Sequence, residues 1–370
     1  MKKYFWCKNC LNMSTRPRIT FDEKGFCNAC QWMAEKKVLD WSKRKKILKE
    51  TIDTIKQSKK SNYDCLVPVS GGKDGTYVAY QLKEKYGLNI LTLTCRPPME
   101  LDVGEKNLRS FINKGFEHIH LTPNSKAMKK INKLGFIKKG SPYYGWLVSI
   151  FTGVIRTALK YEIDLVFYGE DGEVEYGGSI QNKNNPFFDT KYMFQNYFEG
   201  YHREICKESG LSDEELFYFT INEKEILNSN LKLTHYGFFE PWDSYRNYLF
   251  AKEKTNFHES KTANVGTFTN FAQNDQAFFA LHTYLMYLKF GFGRATQDAG
   301  IEIRRGAMTR DQALNLVKIY DNSYPEKFLN LYLSYYEMKK DEFDSVIDSH
   351  VNKDLFEKLD GKWVPQFEIK

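Results

Sequence analysis

Six residues, Ser70-Gly71-Gly72-Lys73-Asp74-Gly75, join the apolar run Cys65-Leu66-Val67-Pro68-Val69 to a helical stretch from Thr76 to Tyr86. A short strand, a glycine turn and a helix in that order call for a parallel second strand, because the helix carries the chain back to the starting edge of the sheet. The alternation continues. Strands are expected at Asn89 to Cys95, His118 to Leu121 and Asp164 to Tyr168, with helices through Leu108 and Phe111 and from Tyr144 to Tyr161. Gly87 suits the C-cap of the first helix. The expected class is α/β, a doubly wound parallel sheet with helices on both faces. Ligands of such sheets sit at the carboxyl ends of the strands, where the Ser70 loop and Gly169-Glu170 both fall.

The loop's chemistry points to phosphate. Glycines let backbone amides approach an anion closely, and a helix N-terminus favours negative charge. The nucleotide-contact candidates are Ser70, Gly71, Gly72, Lys73, Asp74, Gly75 and Thr76, with Lys73 adding a cation. Asp74 would repel phosphate directly, so its useful role is to hold Mg²⁺ against pyrophosphate oxygens. No glycine stands five residues before Gly72, so the loop is not a Walker A motif. After the fourth strand, Gly169-Glu170-Asp171-Gly172-Glu173-Val174-Glu175 gathers carboxylates that suit a metal or a general base. Lys73, Asp74, Glu170 and Glu173 are the catalytic candidates, Glu173 sharing Mg²⁺ with Asp74. The same run also reads as a solvated acidic turn, and the two readings differ in what Glu173→Ala would do to Mg²⁺ dependence.

Cysteines pair as Cys7-x-x-Cys10 and Cys27-x-x-Cys30 within the first forty residues. Four thiolates at that spacing complete a tetrahedron around a structural zinc, with an iron–sulfur cluster or a redox dithiol as alternatives. So short a segment takes its folding energy from the metal. The expected domains are a zinc knuckle over 1–40, an α/β nucleotide domain over 41–240 entered through a helix at 41–58, and a mostly helical region over 241–370. Helices are expected from Phe278 to Phe290 and from Arg310 to Tyr320, and packing helices in the last forty residues. Residues 180–240, with Asn182, Asn184, Asn185 and Pro186 close together, read as a lid over the site. A net charge of +7 suits an anionic substrate and permits RNA. The basic runs Lys43-Arg44-Lys45-Lys46 and Lys59-Lys60 read as a solvated helix face, so nucleic acid is not the expected partner. No stretch approaches the ~18 apolar residues that span a bilayer. The start, Met1-Lys2-Lys3-Tyr4-Phe5-Trp6-Cys7, lacks the apolar core of a signal peptide, so a cytoplasmic protein is expected.

The Ser70 loop resembles the SGGxDS pyrophosphate loop of the N-type ATP pyrophosphatases, the PP-loop superfamily with its adenine nucleotide alpha hydrolase-like sheet. Gly75 stands where the motif ends in serine, and Thr76 follows it. More narrowly, the chain resembles the N-acetyl sugar amidotransferases of surface-polysaccharide and flagellin-glycan synthesis. The four cysteines, a zinc ribbon in that family, precede the loop. Glu240-Pro241-Trp242-Asp243 is similar to a PWD element and Gly266-Thr267-Phe268-Thr269-Asn270 to a GTWTN stretch. The most distinctive match is Tyr287-Leu288-Lys289-Phe290-Gly291-Phe292-Gly293-Arg294-Ala295-Thr296-Gln297-Asp298-Ala299, followed by Ile301-Glu302-Ile303-Arg304 and Met308-Thr309-Arg310. The chain departs from the family at Phe278-Phe279 and at Gly75.

The resemblance implies a reaction. ATP adenylates the acetamido oxygen of an N-acetyl sugar, such as a sugar nucleotide or a nonulosonic acid of the pseudaminic type. Ammonia then displaces AMP and leaves an acetamidino group. ATP, Mg²⁺ and structural Zn²⁺ are the implied cofactors. A separate glutaminase with a cyclase-like partner is the implied ammonia source, and none of Cys65, Cys95 and Cys206 sits in a nucleophile-elbow context. His282, Arg294, Asp298 and Arg304 are the substrate-binding candidates, since guanidinium offers a planar fork to carboxylate or phosphate. His282 also reads as a packed histidine and Arg304 as a surface charge. The alternative is a tRNA 2-thiolation enzyme of the same superfamily, against which the isolation of Cys65, Cys95 and Cys206 counts.

Overall fold

The computed structural model describes residues 4–58, 60–200 and 202–369; the Met1-Lys2-Lys3 start and Lys59 lie outside them. Two CxxC turns and helix α1 (Asn28–Lys36) form the N-terminal unit, and α2 (Trp41–Ser58) leads from it to the sheet. The sheet is parallel throughout, with β1 (Cys65–Pro68), β2 (Ile90–Cys95), β3 (Glu117–Leu121), β4 (Leu165–Tyr168) and β5 (Lys232–His235) in the order β3-β2-β1-β4-β5. Helix α3 (Lys73–Tyr80) follows β1, α4 (Asp102–Ile112) follows β2, and α5 (Ser125–Lys139) and α6 (Tyr144–Lys160) follow β3. Strand side chains alternate between two cores. Leu66, Leu93, Val166 and Leu233 pack with α5 and α6, while Cys65, Val67, Leu165 and Phe167 pack with α2, α3 and α4. Covering both faces is what makes these strands read as unbroken apolar runs. The strand order reverses between β1 and β4, so the crevice at their carboxyl ends is the natural ligand position.

Strand β5 was not expected, and three further parts of the chain differ from the sequence reading. Helix α5 was not expected; the Asn124 side chain caps it by accepting from the amides of Lys126 and Ala127, and left-handed Gly140 ends it. Residues 180–240 do not stand over the cleft as a lid. They hold short helices α8 (Thr190–Tyr192), α9 (His202–Glu208) and α10 (Glu223–Leu227), after α7 (Gly172–Tyr176) and before β5, and Phe188, Met193 and Phe198 are buried in the main core. Side chains as apolar as these gain far more by burial than by covering a polar crevice. The last forty residues are not all helical. After α11 (Ser244–Thr255), α12 (Phe278–Phe290), α13 (Arg294–Arg304), α14 (Arg310–Tyr320), α15 (Leu329–Tyr336) and α16 (Lys340–Ser349) comes a hairpin of β6 (Phe356–Leu359) and β7 (Lys362–Pro365). Its turn is Asp360-Gly361, both at positive φ, an Asp-Gly pair of the kind that closes two-residue hairpins. Helix α12 is buried nearly all round and α11 lies along α3, so the C-terminal helices are built onto the sheet domain. Among the described residues no helix is long and apolar enough to cross a membrane.

Candidate active site

A cleft of about 290 Å³ opens at the switch point. Ser70, Gly71, Gly72, Lys73 and Asp74 line one wall, Glu170 and Tyr176 line another, and Asp275, Phe279 and Arg294 close it from the C-terminal part of the chain. Gly71 has φ +76°, and a Cβ there would lie 2.2 Å from the Leu108 amide nitrogen. The loop is therefore pressed against the backbone of α4, and only glycine fits. Gly75 and Thr76 do not reach the cleft. A Cβ on Gly75 would crowd the Pro68 carbonyl and Val69 Cα at 3.1 Å, because α3 sits close on β1, and Thr76 is fully buried behind the loop. Glycine at the motif's serine position thus has a packing reason.

The two loop side chains engage each other. Lys73 donates to Asp74 Oδ2, and Asp74 Oδ1 accepts from Asn247 Nδ2 at 3.0 Å. Asn247 is fully buried on α11, a contact between distant parts of the chain that the sequence reading did not anticipate. Across the cleft, Glu170 accepts from the Tyr176 hydroxyl at 2.6 Å. Burial, then the charge of Asp74, push the Glu170 carboxyl above its ordinary range. Two carboxylates in one cleft, one of them raised in proton affinity by the other, are the donor set that a divalent cation relieves.

Arg294 brings a second cation to this cleft. Its Nε donates to Asp298 Oδ1 at 2.8 Å, and Asp298 also accepts from Thr267 Oγ1 at 2.6 Å. Asp298 is thus a positioning residue behind Arg294, and the Gly266–Asn270 stretch is its support. Asp321, two per cent exposed, accepts from the Gly293 amide at 2.8 Å and the Thr296 amide at 3.1 Å, so it caps the start of α13 and fixes Arg294 from below. His282 lies against Tyr143, ring centroids 5.0 Å apart, and burial pushes its pKa down to about 4. It does not line the cleft, and a neutral packed histidine describes it. Of the two unusual phenylalanines, Phe278 stacks on Tyr332 in the core and Phe279 lines the cleft.

The acidic run after β4 divides its labour. Of its four carboxylates, only Glu170 faces the cleft. Asp171 accepts from the hydroxyls of Tyr192 and Tyr197. Glu173 takes a bidentate pair from Arg18, both contacts 2.7 Å, and also accepts from the Ser179 amide at 2.7 Å. Glu175 accepts from Trp32 Nε1 and Lys36 Nζ, each at 2.7 Å. Glu173 is thus turned toward the N-terminal unit, away from Asp74, and its carboxylate is saturated by Arg18. Arg304 is elsewhere too: it donates to the Glu175 carbonyl at 3.3 Å and lies beside the Cys10 sulfur, outside the cleft.

In the N-terminal unit the sulfurs of Cys7, Cys10, Cys27 and Cys30 lie within 4.8 Å of one another, three of the four residues buried. Cys7 and Cys30 are 3.7 Å apart, and Cys10 and Cys27 3.5 Å. Tetrahedral zinc with bonds of about 2.3 Å sets sulfurs roughly 3.8 Å apart, so the cluster is compatible with zinc. The amide of Cys27, at 3.2 Å from Cys7 Sγ, and Asn9 Nδ2, at 3.3 Å from Cys30 Sγ, donate to sulfur, as outer-shell groups do to thiolates.

Asp275 escaped the sequence reading altogether. It stands in the polar Asn274-Asp275-Gln276 stretch before α12, which was the available signal. Burial holds its carboxyl up at about 6, against a lowering hydrogen bond from Ser70. A carboxyl raised in the fold favours the folded state below about pH 4, and that contribution is lost as the pH rises through about 6. Asp275→Asn should therefore leave thermal stability unchanged near pH 4 and raise it above pH 6 by about 1–3 kcal/mol. Melting curves at the two pH values check this, and a gain seen at pH 4 as well would contradict it.

The fold and cleft together define a doubly wound α/β protein with a glycine phosphate-type loop at its switch point and a four-cysteine unit docked beside it. Residues 265–368 match the family model described as LPS biosynthesis protein WbpG-like, C-terminal domain. The chain thus carries a WbpG-like C-terminal domain, in the part where its motifs resemble the N-acetyl sugar amidotransferases. No curated protein matches the chain.

Proposed function

We propose that this chain is an ATP-dependent amidotransferase that converts the acetamido group of an N-acetyl sugar to acetamidino. The observation that carries the reading is that the phosphate-type loop, Ser70–Asp74, and Arg294 of the WbpG-like domain line the same cleft. Amide oxygen is a poor leaving group near neutral pH. Attack of that oxygen on the α-phosphorus of ATP forms an O–P bond and expels pyrophosphate. Ammonia then adds to the imidate carbon, loses a proton, and the C–O bond breaks to release AMP. Backbone amides of Gly71 and Gly72 and the Lys73 ammonium would hold the phosphates, and Arg294 would face the charge that develops between nucleotide and sugar. Asp74 and Glu170 would hold Mg²⁺, which neutralises pyrophosphate when bound. Glu170 and Asp275 are the cleft carboxylates that could take the proton from ammonia. Cys7, Cys10, Cys27 and Cys30 would hold a closed structural zinc. A separate glutaminase with a cyclase-like partner would supply the ammonia, in the cytoplasm.

The tRNA thiolation reading is less well supported. Such chemistry needs a reactive thiol at the nucleotide, but Cys65, Cys95 and Cys206 are buried and burial pushes each thiol up, Cys95 and Cys206 to about 12. None of them lines the cleft. The test is to incubate the protein with ATP, Mg²⁺, ammonium and a panel of N-acetylated sugar nucleotides and nonulosonic acids. The expected result is ammonia-dependent AMP and a product lighter by the difference between O and NH. AMP formed only with tRNA would overturn the reading.

A further inference from the structure

A second cavity, of about 420 Å³, lies beside the cleft, between α1, the Pro241-Trp242 turn and the end of α13. Tyr176 is on the wall of both cavities, so one side chain separates them. The second cavity carries more cations than carboxylates: Lys36, Lys37, Arg246, Arg304 and Arg305 line it with Glu175 and Asp243. Although Lys36 pairs with Glu175, Arg246 with Glu240 and Arg305 with Glu302, Lys37 and Arg304 stand outside these carboxylate pairs. Two lining residues also carry buried N–H groups without a hydrogen-bond partner, Trp242 Nε1 and Arg246 Nε, and Trp242 is only 6% exposed. Buried donors left unpaired are costly and mark a place where an acceptor belongs. Pro241, Trp242 and Tyr176 add apolar surface of the kind that covers a sugar's C–H face.

We propose that this cavity binds the acidic end of the acceptor, a sugar phosphate or a sugar carboxylate, with the acetamido group reaching past Tyr176 into the cleft. The placing of the acetamido group rests on the amidotransferase reading, whereas the preference for an anion rests on the cavity's own charges and unpaired donors. The exposed rim residue Lys37 supplies charge that can be reversed without opening a core. Arg305, which pairs with Glu302 at 2.7 Å and Asp243 at 3.8 Å, is the second reversal, its fold checked by a melting curve. The control is Lys353→Glu, on an exposed lysine in the C-terminal part of the chain.

The test titrates UDP-N-acetylglucosamine and N-acetylneuraminic acid into the full chain by calorimetry, for the wild type and for Lys37→Glu, Arg305→Glu and Lys353→Glu. At least one acid should bind the wild type. Lys37→Glu and Arg305→Glu should weaken it about tenfold or more, while Lys353→Glu and the affinity for ATP stay unchanged. The acid that responds tells diphosphate from carboxylate. Binding of neither acid, or affinities that ignore both reversals, would overturn the proposal. If acetamidino product forms but its KM for the sugar ignores the reversals, this cavity falls and the reaction stands. If the acids bind and respond but no AMP forms with any acceptor, the anion site stands and the amidotransferase reading falls.

Discussion

Asparagine in place of Asp74 should lower AMP formation about a hundred- to a thousandfold while the protein stays folded. Asparagine keeps the side chain's shape and one of its two acceptors: one carboxylate oxygen accepts from Asn247 at 3.0 Å and the other from Lys73, so the variant keeps one of these contacts and gives up the other. What asparagine removes is the charge. With Glu170 across the cleft, Asp74 makes the only pair of carboxylates, among the described residues, whose mutual repulsion a divalent cation in this cleft would relieve together with burial. The Mg²⁺ concentration for half-maximal rate should rise in Asp74→Asn and in Glu170→Gln. Glu173→Gln should leave it unchanged and lower thermal stability instead, because Glu173 is bound to Arg18. Rates across a Mg²⁺ titration, with melting curves beside them, separate these outcomes; a Mg²⁺ requirement that moves with Glu173 would contradict the assignment.

That contrast shows where sequence reading reached and where it stopped. The sheet was legible because β1, β2 and β4 are covered on both faces and so are continuous apolar runs. The fifth strand was not, since Lys232-Leu233-Thr234-His235 offers one strongly apolar residue and is recognisable only by its neighbour β4. The loop from Ser70 to Asp74 was legible because its glycines have one local purpose. The acidic run after β4 was not, because its carboxylates have the same type and similar spacing, and a five-residue helix turns them to different partners. Arg294 and Arg304 illustrate the same limit at longer range. They lie at the two ends of α13, so one reaches the cleft and the other the cysteine cluster, a separation that only helix length reveals.

Removing the zinc proposed for Cys7, Cys10, Cys27 and Cys30 should abolish AMP formation even though no cysteine lines the cleft. Zinc contributes about 10–16 kcal/mol to the folding of small cysteine units, far more than the packing such a short segment can supply. Cys10→Ser or a strong chelator should therefore unfold the N-terminal unit, and proteolysis should cut there first. The loss would travel through α7. Asn12 Nδ2 donates to the Tyr176 carbonyl at 3.1 Å, Asn28 Nδ2 to the Gly178 carbonyl at 2.6 Å, and Trp32 and Lys36 hold Glu175. Gly177, at φ +95°, lets the chain pass Asn12 so closely that a Cβ would stand 2.9 Å from its amide nitrogen. With those contacts gone, Tyr176 and Glu170 lose the frame that aims them at the loop, and a five-residue helix does not hold its geometry alone. ATP affinity, which the proposed function assigns to Ser70–Lys73 at the start of α3, should fall much less than turnover. Zinc content, ATP binding and AMP release measured on one chelator series check this: turnover should follow zinc, and turnover that persists in zinc-free protein would show that α7 keeps its place without the unit docked on it.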